Sequence, residues 1–182
     1  GSHLRYVRHL CADGEFSPVA SLLHVGHESA LTFLYHNDSA HTVPISVLLV
    51  MLLGYLGFAV ILLGVKLPAD SFVPGMILGA TGGRLAGELL HQGGLIGGDE
   101  VGTFALIGSA AVLAGITRMT LTLSIILVEV TADVRAMPLI MLSLAVATAV
   151  ASWLRVEPLE DSIMKLMGLP FLHEEPPPIL QN

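Results

Sequence analysis

Charged residues are scarce in this sequence. They make up 13% of its 182 residues, against about 25% in an average soluble domain. Apolar residues make up 53%, and the mean hydropathy is +0.77. These proportions predict an integral, multi-pass membrane protein. A formal net charge of −7 without any basic stripe argues against a nucleic-acid partner.

Cysteine is almost absent, since Cys11 is the single one. One thiol excludes an intrachain disulfide and a cysteine-based zinc site. Histidines and acidic residues do gather near the N-terminus, namely His24, His27, His36 and His41 with Glu28 and Asp38. The irregular spacing of the histidines provides no helix-borne histidine pair at i, i+4, so we predict solvated loop histidines, no metal site and no cofactor. Neither a Ser-His-Asp nor a Cys-His arrangement is recognisable, and we expect no enzymatic activity.

The sequence does contain long apolar runs without a formal charge. They lie at 43–65, 101–117 and 137–154, and a further run at 119–128 follows Arg118. A helix needs about 20 residues to cross a hydrocarbon core of ~30 Å. We therefore expect at least three segments to be spanning or deeply buried.

The polar stretches divide the chain. Residues 1–3 are expected to be an expression scar, 4–42 a partly amphipathic lead-in and loop, 43–156 the membrane helices, and 157–182 a final short helix with a proline-rich exit. The predicted fold is all-α, with helices at 18–23, 28–35, 44–65, 71–90, 101–116, 119–131, 137–153 and 159–167 and a glycine-rich turn at 91–100.

Four glycines follow one another at intervals of four in the helix predicted at 71–90: Gly75, Gly79, Gly83 and Gly87. This spacing places them on one helix face. In water each would cost about 1 kcal/mol relative to alanine. In a membrane such a face lets a second backbone approach closely, and we predict tight helix packing there.

The start of the same helix is the main candidate for chemistry. It contains Asp70, Ser71, Phe72 and Val73, followed by Pro74. The N–H groups of a first helical turn, together with the helix dipole, form an anion site. Transporters expose such ends by breaking helices at membrane depth. Alternatively, Asp70 is an ordinary N-cap that accepts hydrogen bonds from the N–H groups of Phe72 and Val73.

Four charged residues lie inside or beside apolar runs, namely Arg84, Glu88, Arg118 and Glu129. Charge within a membrane is costly and often functional. Because Arg84 and Glu88 are four residues apart, the plainest prediction for these two is an ion pair on one helix.

Three stretches resemble the CLC family of chloride channels and chloride/proton antiporters. "PADSFVPGMILGATGGRLAG" resembles the family's G-x-F-x-P segment and the helix after it. "GTFALIGSAAVLAGITRMTLTLSIILVEVT" is similar to the next two helices, including their G-T-F-A opening. "PLEDSIMKLMGLPFLHEEPPP" is similar to the last helix and exit of plant-type and intracellular members. The motifs occur in the family's order, and the resemblance covers roughly residues 13–178.

The resemblance implies a fold and a site. The chain would be the C-terminal part of a two-half, inverted-repeat membrane domain that forms homodimers through the helices at 119–131 and 137–153. It would need the complementary N-terminal half to form an anion pathway, and it would lie in a membrane, with an intracellular organelle as one location. Chloride or another small anion would be held by backbone N–H groups of Ser71, Phe72 and Val73.

Two positions depart from the family pattern. Asp70 stands where the family has the glycine before F-x-P, and Glu160 stands where it has a tyrosine that contacts the ion. At ~4 Å and an effective dielectric constant near 20, two like charges repel by about 4 kcal/mol. The chain is therefore expected to be an anion channel or anion/proton exchanger chain in which Asp70 gates or caps the helix, or alternatively a degenerate, non-transporting subunit with a structural role.

Overall fold

The computed structural model describes residues 26–36, 43–63, 71–131, 134–155 and 157–168. Their regular structure is entirely helical, which confirms the predicted fold class. The helices are α1 (His27–Tyr35), α2 (Ile45–Leu63), α3 (Phe72–Gln92), α4 (Val101–Thr117), α5 (Thr120–Thr131), α6 (Met137–Trp153) and α7 (Leu159–Met167), with short 3-10 turns at Gly98–Glu100 and Val134–Ala136.

The observed helix limits agree closely with those predicted. Two helices, α6 and α7, have the predicted bounds, and the turn at 91–100 is present except that α3 continues to Gln92. The helix predicted at 18–23, the division of the chain at residues 3 and 42 and the proline-rich exit lie outside the described residues.

One described helix is long and apolar enough to cross a membrane, and it comprises α6 with the turn before it, Val134–Trp153. The apolar segments within α2, α4 and α5 are shorter, at Ile45–Ile61, Val101–Thr117 and Thr120–Glu129. We predicted at least three segments that span the membrane or are deeply buried. Helix α4 is one of the buried segments, since Ala105, Ala110 and Leu113 have no exposed surface.

Arg118 divides the apolar run that continues from α4. It has a left-handed backbone, with φ of 56°, and its N–H donates to the Ala114 carbonyl at 3.0 Å. Its guanidinium donates to the carbonyl of Ala151 near the end of α6 at 3.2 Å. A cation is favourable among the carbonyls of a helix C-terminus. Arg118 therefore ends α4 and ties this corner to α6.

The glycine face of α3 packs directly on α4, as predicted. A Cβ added to Gly83 would lie 2.2 Å from the Phe104 carbonyl oxygen, and one added to Gly79 would lie 2.5 Å from that of Gly108. In return, a Cβ on Gly108 would lie 2.3 Å from the Gly79 carbonyl oxygen. Only backbones without side chains can approach so closely.

The outer surface of the helices is apolar. On α2, Val60 and Ile61 are more than half exposed, and so is Leu142 on α6. Trp153 is 82% exposed at the end of α6, a position typical of an indole at a membrane surface. This surface suits contact with lipid or with further apolar helices.

Candidate functional site

A cavity of about 1020 Å³ lies at the start of α3. The first turn of α3 forms one wall, and Ile126 of α5 contributes to another. Gly26 and residues of α1 as far as Thr32 form the rest. The lining residues are Gly26, His27, Ser29, Leu31, Thr32, Phe72, Val73, Pro74, Met76 and Ile126. The helix start predicted to bind an anion therefore borders an open space rather than packed protein.

The first turn of α3 is held by a backbone hydrogen bond and not by a side-chain cap from Ser71. Ser71 is the N-cap residue, its side chain makes no capping hydrogen bond, and its carbonyl accepts from the Gly75 N–H at 3.1 Å. The first turn from Phe72 contains no acidic side chain. Asp70 lies outside the described residues, so anion binding and capping by its carboxylate both stay predictions.

Helices α1 and α3 run in the same general direction beside this cavity. Residues between Gly26 and Thr32 share the cavity with residues 72–76 of α3, whereas the last residues of α1 contact Arg84, which lies about 12–18 Å further along α3 at 1.5 Å per residue. The N-terminal ends of α1 and α3, which carry the positive ends of their dipoles, therefore border the same cavity. The sequence predicts a helix at 28–35 but does not indicate that its start lies beside the start of α3.

Arg84 occupies the opposite end of α1. Its side chain is 1% exposed. One terminal nitrogen, Nη1, donates to the carbonyls of Phe33 at 3.2 Å and His36 at 3.4 Å, and also to that of Leu34. These partners lie 48 to 51 residues away in the chain, so local sequence patterns do not predict them. The ion pair with Glu88, which is buried one turn further along α3, stays a prediction.

A second bond holds the same end of α1. The Tyr35 hydroxyl donates to Ser109 Oγ of α4 at 3.0 Å, and Ser109 in turn donates to the Leu106 carbonyl at 2.8 Å. Both α3 and α4 therefore hold the C-terminal end of α1, while its N-terminal end lines the cavity.

The structure brings together only part of the predicted site. Phe72 and Val73 line the cavity, and Ser71 immediately precedes them. Glu160 is exposed in the first turn of α7 and is not among the residues that line the cavity. Its role beside an anion stays a prediction.

Other ionisable residues lie away from the cavity. Glu129 is exposed on α5, and Lys165 pairs with Glu157 at 2.6 Å on the surface beside α7. The described residues contain no group of three histidine, cysteine or acidic side chains that could hold a metal ion. His24, His41 and Asp38 of the histidine group lie outside those residues.

Comparison with known proteins supplies the family. The profile of a family described as "Voltage gated chloride channel" matches residues 14–152. "Chloride channel protein CLC-d" of Arabidopsis thaliana is 33% identical over 97% of this chain and 22% of its own length. "H(+)/Cl(-) exchange transporter 7" of Mus musculus is 37% identical over 97% of this chain and 22% of its own length. The chain thus spans about a fifth of these relatives. It belongs to the voltage-gated chloride channel family, as the resemblance to CLC proteins predicted.

Proposed function

We propose that this chain forms part of an anion pathway across a membrane, as the C-terminal half of the membrane domain of a chloride channel or chloride/proton exchanger. The observation that carries the proposal is that α3 begins at a cavity of about 1020 Å³. Two similar proteins are named as a chloride channel and an H⁺/Cl⁻ exchange transporter, which supports an anion as the substrate.

The backbone at this helix start has the chemistry that an anion needs. The N–H groups of Ser71, Phe72 and Val73 would donate to a chloride ion, and the positive end of the α3 dipole would attract it. The positive end of α1, across the cavity, adds to the attraction. Neutral donors bind an anion without the tight ion pair that a lysine would form, and a transported ion must also be released.

The rest of the pathway would come from other parts of the protein. We propose that the complementary N-terminal half of the fold closes the cavity, because this chain spans only 22% of the length of its relatives. The exposed apolar side chains of α2 and α6 suit contacts with lipid, with that half or with a second copy in a homodimer. We propose an intracellular organelle membrane as the location, from the resemblance to intracellular members of the family.

Replacing the backbone amide N–H of Val73 with an ester oxygen tests the anion site. Incorporation of the corresponding α-hydroxy acid removes one donor and keeps the side chain. In the complete protein reconstituted in liposomes, we expect apparent chloride affinity to fall about 10- to 100-fold, because a hydrogen bond to a charged group contributes about 1.5–3 kcal/mol. Chloride flux measured over a range of concentrations gives this affinity.

The matched control is the same ester at Leu121, in the first turn of α5, whose side chain is exposed and does not line the cavity. Its chloride affinity is expected to equal that of the unmodified protein. Equal affinities for both esters would contradict an anion site at α3. A complete protein that is folded but carries no chloride at all would favour the non-transporting structural role instead.

A further inference from the structure

We propose that Arg84 is a positioning residue that holds the N-terminus of α1 against the anion cavity by anchoring the opposite end of that helix. The inference rests on the proposed anion site and assigns a function to a charge that does not line the cavity. It follows from the burial of Arg84, from its hydrogen bonds and from the direction of α1.

The burial of Arg84 requires a reason. Its side chain is 1% exposed, and a cation removed from water is strongly destabilising unless polar groups surround it. An apolar side chain would fill the same volume without that cost. The charge is retained where three backbone carbonyls converge, those of Phe33, Leu34 and His36.

Those carbonyls belong to the end of α1. A helix C-terminus carries partial negative charge and unpaired carbonyls, and a cation there is stabilising. The last turn of α1 contains no basic residue of its own. The positive charge therefore comes from α3, across the interface between the two helices.

The orientation of α1 depends on such contacts. A helix of nine residues is too short to be stable by itself, since isolated helices below about 12–15 residues are marginal in water. Parallel neighbouring helices such as α1 and α3 also repel each other through their aligned dipoles. Arg84 opposes both effects because it binds the negative end of α1 and leaves its positive end at the cavity.

The guanidinium is suited to this role. It is planar, remains charged and offers several donors in fixed directions, whereas a lysine ammonium is a single mobile point charge. The three bonds to α1 all come from Nη1, which lies one atom further from the backbone than a lysine nitrogen. Arg84→Lys therefore keeps the charge but shortens the side chain, and Arg84→Gln loses the charge as well. The two variants separate electrostatics from hydrogen-bond geometry.

The first test measures transport by the complete protein in liposomes. We expect Arg84→Gln to weaken apparent chloride affinity about tenfold, with a smaller effect on the rate at saturating chloride, because the ion site is displaced rather than removed. Arg84→Lys should recover part of the affinity. Tyr35→Phe, which removes the other bond at the same helix end without removing a charge, should change the affinity less than threefold.

The second test measures the position of α1 without using transport. In the complete protein with Cys11→Ser and any other reactive cysteines replaced, spin labels on His27→Cys and Leu89→Cys, both at exposed positions, report the distance between the start of α1 and the end of α3. We expect one narrow distance distribution with Arg84 and a broadened or shifted one in Arg84→Gln. This outcome would support the positioning role even if the chloride-affinity tests failed for the proposed site. An unchanged distribution and an unchanged chloride affinity in a folded Arg84→Gln protein would overturn the inference.

Discussion

Replacing Gly83 with alanine is expected to destabilise the protein by about 3 kcal/mol or more. Overpacking of a well-filled core costs about 1–3 kcal/mol when neighbouring side chains can adjust. Here the added Cβ would lie 2.2 Å from the Phe104 carbonyl oxygen and 3.0 Å from Gly108 Cα. These are backbone atoms, so α3 and α4 would have to move apart along their whole contact.

Gly82→Ala is the matched control, since it makes the same change one residue earlier in the same helix. A Cβ there would meet only Leu52 Cδ1, at 3.5 Å, which is ordinary van der Waals contact. The loss of monodisperse protein on heating in detergent, followed by size-exclusion chromatography, gives the two stabilities. Equal melting of the two variants would show that the close approach of α3 and α4 is not required.

Neutralising Asp70 is expected to strengthen anion binding by up to about a thousandfold. Asp70 comes directly before Ser71, the N-cap residue of α3. If its carboxylate lies ~4 Å from the bound anion, the repulsion is about 4 kcal/mol at an effective dielectric constant of 20, and each 1.4 kcal/mol changes affinity about tenfold. Chloride affinity of Asp70→Asn and Asp70→Gly in the complete protein measures the effect.

The two replacements separate repulsion from capping. Asparagine keeps a side-chain oxygen that can accept hydrogen bonds from the first turn of α3, whereas glycine has no side chain. If the Asp70 carboxylate repels the anion, both variants gain chloride affinity. If Asp70 only caps α3, Asp70→Gly loses stability and neither variant gains affinity. Glu100→Gln serves as the control, because Glu100 is an exposed acidic N-cap residue of another helix, α4, and its charge should not affect chloride affinity.

Local sequence patterns were sufficient for the helices and for one helix contact. Proline, glycine and apolar periodicity predicted α6 and α7 to the residue, because these features act within a few positions of one another. The interval of four between glycines predicted the close face of α3 for the same reason, since one helical repeat brings Gly79 and Gly83 to one side. The family was also recognisable from motifs that are continuous in the chain.

Relations between distant residues could not be predicted in this way. The sequence indicated a helix at α1 but not that its start lies beside the start of α3, more than forty residues later. It predicted an ion pair of Arg84 with Glu88, which stays a prediction, but it could not predict that the guanidinium lies among the α1 carbonyls.

Local sequence patterns alone identify a helical membrane protein of the chloride channel family, and they predict an anion site at the helix start of Ser71 and Phe72. Only the packing of the helices places a second helix end at the same cavity and a buried arginine at the other end of that helix. It also leaves Glu160 away from the residues that line the cavity. The physical reason is that hydrogen-bonding and apolar periodicity are local, whereas a buried charge is stabilised by whichever carbonyls the packed helices bring to it.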